Sequence, residues 1–218
     1  MKRSVILGIL FFGSLWGVSE VFFGEWLYAS GFRHASVSLN VIGLGILAAA
    51  RAFLPRKGTS LAIGCCAALY KLTAMSLGVA GTPFYLCHLL GITSMGAAYD
   101  AVASALPQRR PAGGHARRAV GALVAAYMGY ALFAFSITYV FRYGPWVAGG
   151  LDKVVRYIGV GGTLAAAGGA ILAPLAHWLA ELAMRKAAAS SRLRPEFAAG
   201  CVSLATVGLW MIAVAAAI

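Results

Sequence analysis

Seven stretches of roughly twenty residues, each almost free of charge, limit the fold of this chain more than any other feature. They run Ser4–Phe23, Ala35–Leu54, Thr59–Val79, Pro83–Leu106, Ala119–Phe141, Ile158–Met184 and Glu196–Ile218. A helix of roughly 20 apolar residues crosses about 30 Å of hydrocarbon, so each stretch is long enough to span a membrane. In lipid the main chain must satisfy its hydrogen bonds internally, which leaves α-helices or a closed barrel. Long runs of Ala, Leu, Gly and Ile without period-two alternation exclude the barrel.

Composition points the same way. Of 218 residues 61% are hydrophobic and 11% charged, too little polar surface to coat a water-soluble globule. The expectation is an all-α, polytopic transmembrane helical bundle of about seven helices, forming a single integral membrane domain over residues 1–218. The first stretch follows Met1-Lys2-Arg3 like a signal peptide. It is long, however, and no small-x-small cleavage site follows it, so a retained helix is expected.

The net charge of +12 would suggest nucleic acid in a soluble protein, but its placement argues against that partner. Lys2, Arg3, Arg51, Arg56, Lys57, Arg109, Arg110, Arg117, Arg118, Arg185, Lys186, Arg192 and Arg194 flank the apolar stretches on one alternate side. The other side has Arg33, Arg142, Lys153 and Arg156, with Lys71 left inside a helix. The positive-inside rule then predicts a cytoplasmic N-terminus and, after seven crossings, a C-terminus outside. Pro107–Arg118, rich in Pro, Gly and charge, reads as a linker, and Leu151–Tyr157 as a short interfacial turn.

Ionisable groups at membrane depth usually face a bundle interior or a wet cavity. Counting about 1.5 Å of rise per residue puts Glu20, Asn40, Lys71 and His88 at one level, in the outer half of the bilayer. Glu25, Trp26, Tyr28, Arg33 and His34 form a rim above them. Such a convergence in apolar surroundings is what a small-molecule site needs, and Trp16 joins Glu20, Asn40, Lys71 and His88 as the candidate substrate-binding set. The alternative is a Glu20–Lys71 ion pair that only fixes helix register.

Elsewhere, His177, Glu181 and Arg185 share one helical face, and Asp100 is expected to pair with a loop arginine. Cys65, Cys66, Cys87 and Cys201 have no zinc or redox spacing and read as small buried hydrophobes. Gly13 and Gly17 form a small-xxx-small pattern, and Gly161, Gly162, Gly168 and Gly169 a second smooth strip; both suit close helix approach. No nucleotide, metalloprotease, nucleophile-elbow or CxxC motif is present, so no catalytic residue, metal or cofactor is expected.

Two segments, Gly13-Ser-Leu-Trp-Gly-Val-Ser-Glu20 and Pro55-Arg-Lys-Gly-Thr-Ser-Leu-Ala-Ile-Gly-Cys-Cys-Ala-Ala-Leu-Tyr-Lys71, resemble bacterial membrane proteins similar to the substrate-binding S component of energy-coupling factor (ECF) transporters. The resemblance covers the first four helices best. It implies a six-helix core, here followed by an additional C-terminal helix, in the bacterial inner membrane. It also implies capture of a vitamin-like solute from outside and docking on a separate transmembrane coupling subunit with ATPases. Gly13 and Gly17 stand where such proteins carry small docking residues. A structural or assembly subunit, or a membrane enzyme acting on a lipid with Glu20, His88 or Asp100 as acid or base, are the other classes open to this sequence.

Overall fold

The computed structural model describes residues 3–77, 85–106, 114–189 and 204–211. Among these, all regular structure is helical. The expectations placed on Lys2, Arg109, Arg110, Arg192, Arg194 and Cys201 lie outside the described residues, as do both ends of Glu196–Ile218.

Six long rods make the bundle. α1 (Arg3–Val18) runs through a π-helical turn at Ser19–Phe23 into α2 (Gly24–Ala29). α3 spans Ala35–Phe53, α4 Thr59–Ser76 and α5 Tyr85–Ala105. α6 (Gly114–Phe135) ends in a second π turn, Ser136–Val140. Two short helices, α7 (Gly144–Val147) and α8 (Gly150–Arg156), follow, and a third π turn at Tyr157–Gly162 leads into α9 (Thr163–Ala189). Four of the rods are long and apolar enough to cross a membrane on their own: Ser4–Ala29, Ala35–Phe53, Gly114–Val140 and Gly150–Lys186. This is an all-α membrane protein.

Three boundaries differ from expectation. The first rod does not stop at Phe23 but carries Glu25, Trp26 and Tyr28 on helix to Ala29. Gly114–Arg118, read as linker, is the first turn of α6, its charge anchored where Arg118 Nη2 meets Glu181 Oε1 at 3.0 Å. The sixth rod begins at Gly150 rather than Ile158, because α8 runs unbroken into it.

α1, α4, α5, α6 and α9 pack in that order, each against the next, around α3, which touches all five. Its central place shows in its exposure: within α3 only Ser36 and Phe53 are open. The core gathers Trp16, Leu44, Leu47, Ile63, Met95 and Tyr130 with many alanines. Leu10, Leu69, Leu123, Phe135, Ile171 and Leu175 point outward instead, the apolar exterior that lipid requires.

Without a hydrophobic drive between helices in lipid, association depends on close fit, and small residues provide it. A Cβ on Gly13 would lie 2.5 Å from Cys66 Cβ, and one on Gly17 2.5 Å from Tyr70 Cβ. The strip expected to offer a docking surface is therefore used inside the chain, between α1 and α4. Gly168 and Gly169 likewise receive Val41 and Leu44 of α3, and Gly64 crosses Gly96 with a would-be Cβ 3.2 Å from its Cα.

The ends of the rods have identifiable causes. α3 stops at Leu54 because Pro55 disfavours a helical residue before it. α4 starts beyond Gly58 (φ 82°), and Asp100 of α5 caps it, accepting from the Gly58 and Ser60 N–H groups at 2.8 and 3.1 Å. Asp100 also lies 3.7 Å from Arg51, on the last turn of α3 rather than in a loop. At the same end His177 Nδ1 lies 2.9 Å from the Ala48 carbonyl and Nε2 3.2 Å from Glu181.

Gly17→Ala should lower unfolding stability in detergent by about 1–3 kcal/mol, because the α-carbon side of Tyr70 cannot swing away. Gly159→Ala, where a Cβ meets nothing within 4 Å, should change it by less than about 0.5 kcal/mol. Thermal unfolding of both variants in one detergent checks the pair.

Candidate functional site

At the end of the bundle away from Asp100 and His177, the rods enclose a cavity of about 450 Å³. Its polar lining includes Glu20, Asn40, His88 and Lys153, and its apolar lining Leu39, Ile92, Phe133, Trp146 and Tyr157. Tyr28, Ser36, Cys87 and Tyr143 complete much of the rest.

The first and third π turns line this space, and the second leads into the segment that carries Tyr143 and Trp146. In the first, the Ser19 hydroxyl donates to the Trp16 carbonyl at 2.7 Å, diverting it from the regular ladder, and the Gly24 N–H returns to Ser19 five residues back. The extra residue in such a turn re-aims its side chains, and turns of this kind are frequent at functional sites. Here the re-aimed residue is Glu20. In the second, the Phe141 N–H reaches the Ser136 carbonyl at 2.9 Å and the Tyr143 N–H the Ile137 carbonyl at 3.0 Å, which folds the chain back over the mouth. The third places Tyr157 on the cavity wall.

Glu20 is 4% exposed, and its Oε1 accepts from Trp16 Nε1 at 3.2 Å. Trp16 is fully buried, its indole held against Gly43, where a Cβ would come within 2.6 Å. It thus supports the carboxylate from behind and does not reach the cavity. Asn40 Nδ2 donates to the Tyr130 hydroxyl at 3.1 Å. His88 meets Tyr28 edge to face, ring centres 6.2 Å apart.

Lys71 is the main departure from the sequence reading. It shares a level with Glu20 but stands behind the wall, fully buried, and its Nζ donates to the Glu20 main-chain carbonyl at 2.9 Å. Its ionic partner is Glu25, with Nζ 3.6 Å from Oε1, rather than the Glu20 carboxylate. The ammonium therefore ties α4 to the π turn and offers nothing to a solute. Of the five expected residues, Glu20, Asn40 and His88 come together in the cavity, while Trp16 and Lys71 form its backing.

Sequence reasoning missed the opposite wall. Phe133, Trp146 and Tyr157 pack into a triangle with ring centres 5.0 to 5.4 Å apart. Lys153 Nζ sits 4.9 Å from the centre of the Trp146 ring and donates to the Pro145 carbonyl at 2.8 Å, fastening α7 to α8. The available signal was Gly144-Pro-Trp146, an aromatic embedded in a turn at the same level as Glu20. Among the described residues no group of three or more His, Cys, Asp or Glu could hold a metal.

The cavity is thus a mostly apolar chamber with one aromatic wall and few, separately placed polar groups, an arrangement suited to orienting a small molecule. Lys71→Met should cost about 2 kcal/mol, since it strips a buried carbonyl of its donor while Glu25, one-third exposed, can still turn to water. Glu20→Gln keeps an acceptor for Trp16 and should cost less than about 1 kcal/mol. Unfolding midpoints of the two variants test this division of roles. No protein-family model, curated protein or solved structure matches this chain.

Proposed function

We propose that this protein is the membrane-embedded substrate-binding subunit of a transporter, similar to the S component of ECF systems. It takes a small, vitamin-like solute from the outer face and passes it to a separate coupling subunit driven by ATPases. The observation that carries this reading is the chamber of about 450 Å³ at one end of the bundle, with a nearly buried carboxylate at Glu20 and Asn40 and His88 beside it. Ligand cavities commonly span about 300–1,000 Å³ and combine an apolar lining with a few polar groups, as here.

The charge pattern supports the direction. Arg51, Arg56, Lys57, Arg117, Arg118, Arg185 and Lys186 lie at the end remote from the chamber, against Arg33, Arg142, Lys153 and Arg156 near it. By the positive-inside rule the remote end and the N-terminus are cytoplasmic, and the chamber faces outward. The absence of a nucleotide-binding motif in the sequence fits a subunit that relies on another chain for energy.

Native mass spectrometry of the full chain purified in mild detergent should find a non-lipid small molecule bound at one per chain. Glu20→Gln and His88→Ala should lose it while unfolding within a few degrees of the unaltered protein. Retention of lipid alone, or unchanged retention in both variants, would overturn the reading. A cysteine introduced at Arg142 should react with a membrane-impermeant reagent in intact cells, and one at Lys57 only after permeabilisation. The reverse pattern would sink the proposed orientation.

A further inference from the structure

Two opposite charges face the chamber with no ion pair of their own among the described residues, the buried Lys71 ammonium behind Glu20 being held by the Glu20 carbonyl and Glu25. Glu20 accepts one neutral hydrogen bond, from Trp16, and among the described residues no cation lies within 4 Å of its carboxylate. Lys153, on the facing wall, has a neutral carbonyl and an indole face as partners and no carboxylate. The two do not pair with each other. A carboxylate drawn from water into a largely apolar space is costly unless met by opposite charge, so the vacancy beside Glu20, with the half-buried Lys153 opposite, is a description of what fits.

On the same wall as Lys153 stands the aromatic triangle of Phe133, Trp146 and Tyr157. Flat rings gain from edge and face contact with such a wall, beyond the area they bury. Beside Lys153 the chamber adjoins a second recess of about 270 Å³, and Ser36, Lys153 and Tyr157 line both. His34 and Arg156 add basic character there, although Arg156 is already paired with Asp152 at 3.1 Å. The positive side of the site therefore continues outward from Lys153.

We infer that the solute is an amphoteric aromatic compound, with a protonated amine or similar cationic donor on Glu20, a ring body against the aromatic triangle, and a carboxylate or comparable anion on Lys153. This rests on the reading of the chamber as a solute site and specifies what that site selects. The carboxylate of Glu20 and the ammonium of Lys153 are the specificity-determining pair, each giving a charge-assisted hydrogen bond to one charged group of the ligand.

The indole series separates the components, because free tryptophan carries both charges, tryptamine only the cation and indoleacetate only the anion. With the full chain in nanodiscs, titrated by calorimetry, tryptophan should bind about tenfold or more tightly than either relative, since each lost charge-assisted contact removes at least that factor. Glu20→Gln should weaken tryptophan and tryptamine by about tenfold and leave indoleacetate unchanged. Lys153→Gln should weaken tryptophan and indoleacetate and leave tryptamine unchanged. Equal affinity across the series, a preference for a singly charged member, or no binding of any indole at millimolar concentration would overturn the proposal. The unaltered protein's ranking decides the matter even if a variant fails to fold. A co-purified solute of a single charge sign would leave the transport reading standing and remove this one.

Discussion

In hydrocarbon a main-chain carbonyl or N–H without a partner costs several kcal/mol, and every irregularity of this bundle is arranged around that constraint. A straight helix satisfies itself but cannot shape a chamber. At each bend a side chain or a longer-range main-chain bond replaces the missing rung: Ser19 on Trp16, Lys71 on Glu20, Thr163 on Gly159, and Tyr143 N–H on Ile137. Lys71 is the costliest of these, a charge placed in the interior to hold one carbonyl and offset by Glu25. Remove it and the turn that aims Glu20 loses its tether.

The glycines act on the same problem from the other side. Close crossing of α1 with α4 at Gly13 and Gly17, of α4 with α5 at Gly64 and Gly96, and of α3 with α9 at Gly168 and Gly169 lets neighbouring rods fit without bulky side chains between them. Such tight contact leaves little free volume in the body of the bundle. Volume reappears only where the π turns and the short helices interrupt regular packing, so packing and cavity are two outcomes of one distribution of small and large residues.

Much of this was legible in the sequence. Unbroken apolar stretches gave the rods, and polar residues inside them gave Glu20, Asn40 and His88 at a shared depth, because rise per residue is fixed. Rotation about the helix axis is not fixed in that way, because it depends on how each helix packs against its neighbours, and so Lys71, on α4, was placed at the right level but on the wrong side of the wall. Charge at Gly114–Arg118 resembled a loop because its partner, Glu181, lies far along the chain. Trp146 carried only the local signal of Gly144-Pro-Trp146, and Lys153 none: what makes them part of a site is a fold-back over residues distant in sequence. Gly13 and Gly17 were legible as contact residues, and the structure supplies the partner, α4.

The segment that carries Trp146 and Lys153 differs in kind from the other walls. Arg142 (φ 49°) and Gly150 (φ 56°) bracket Trp146 in left-handed conformations, and between them lies one short helix stapled to the next by Lys153, just beyond Gly150. The chamber is therefore a rigid cup with a small jointed rim. Lys153, the staple of this rim, is also the charge the chamber presents opposite Glu20, so the hold of the rim and the chemistry of the chamber cannot be altered separately.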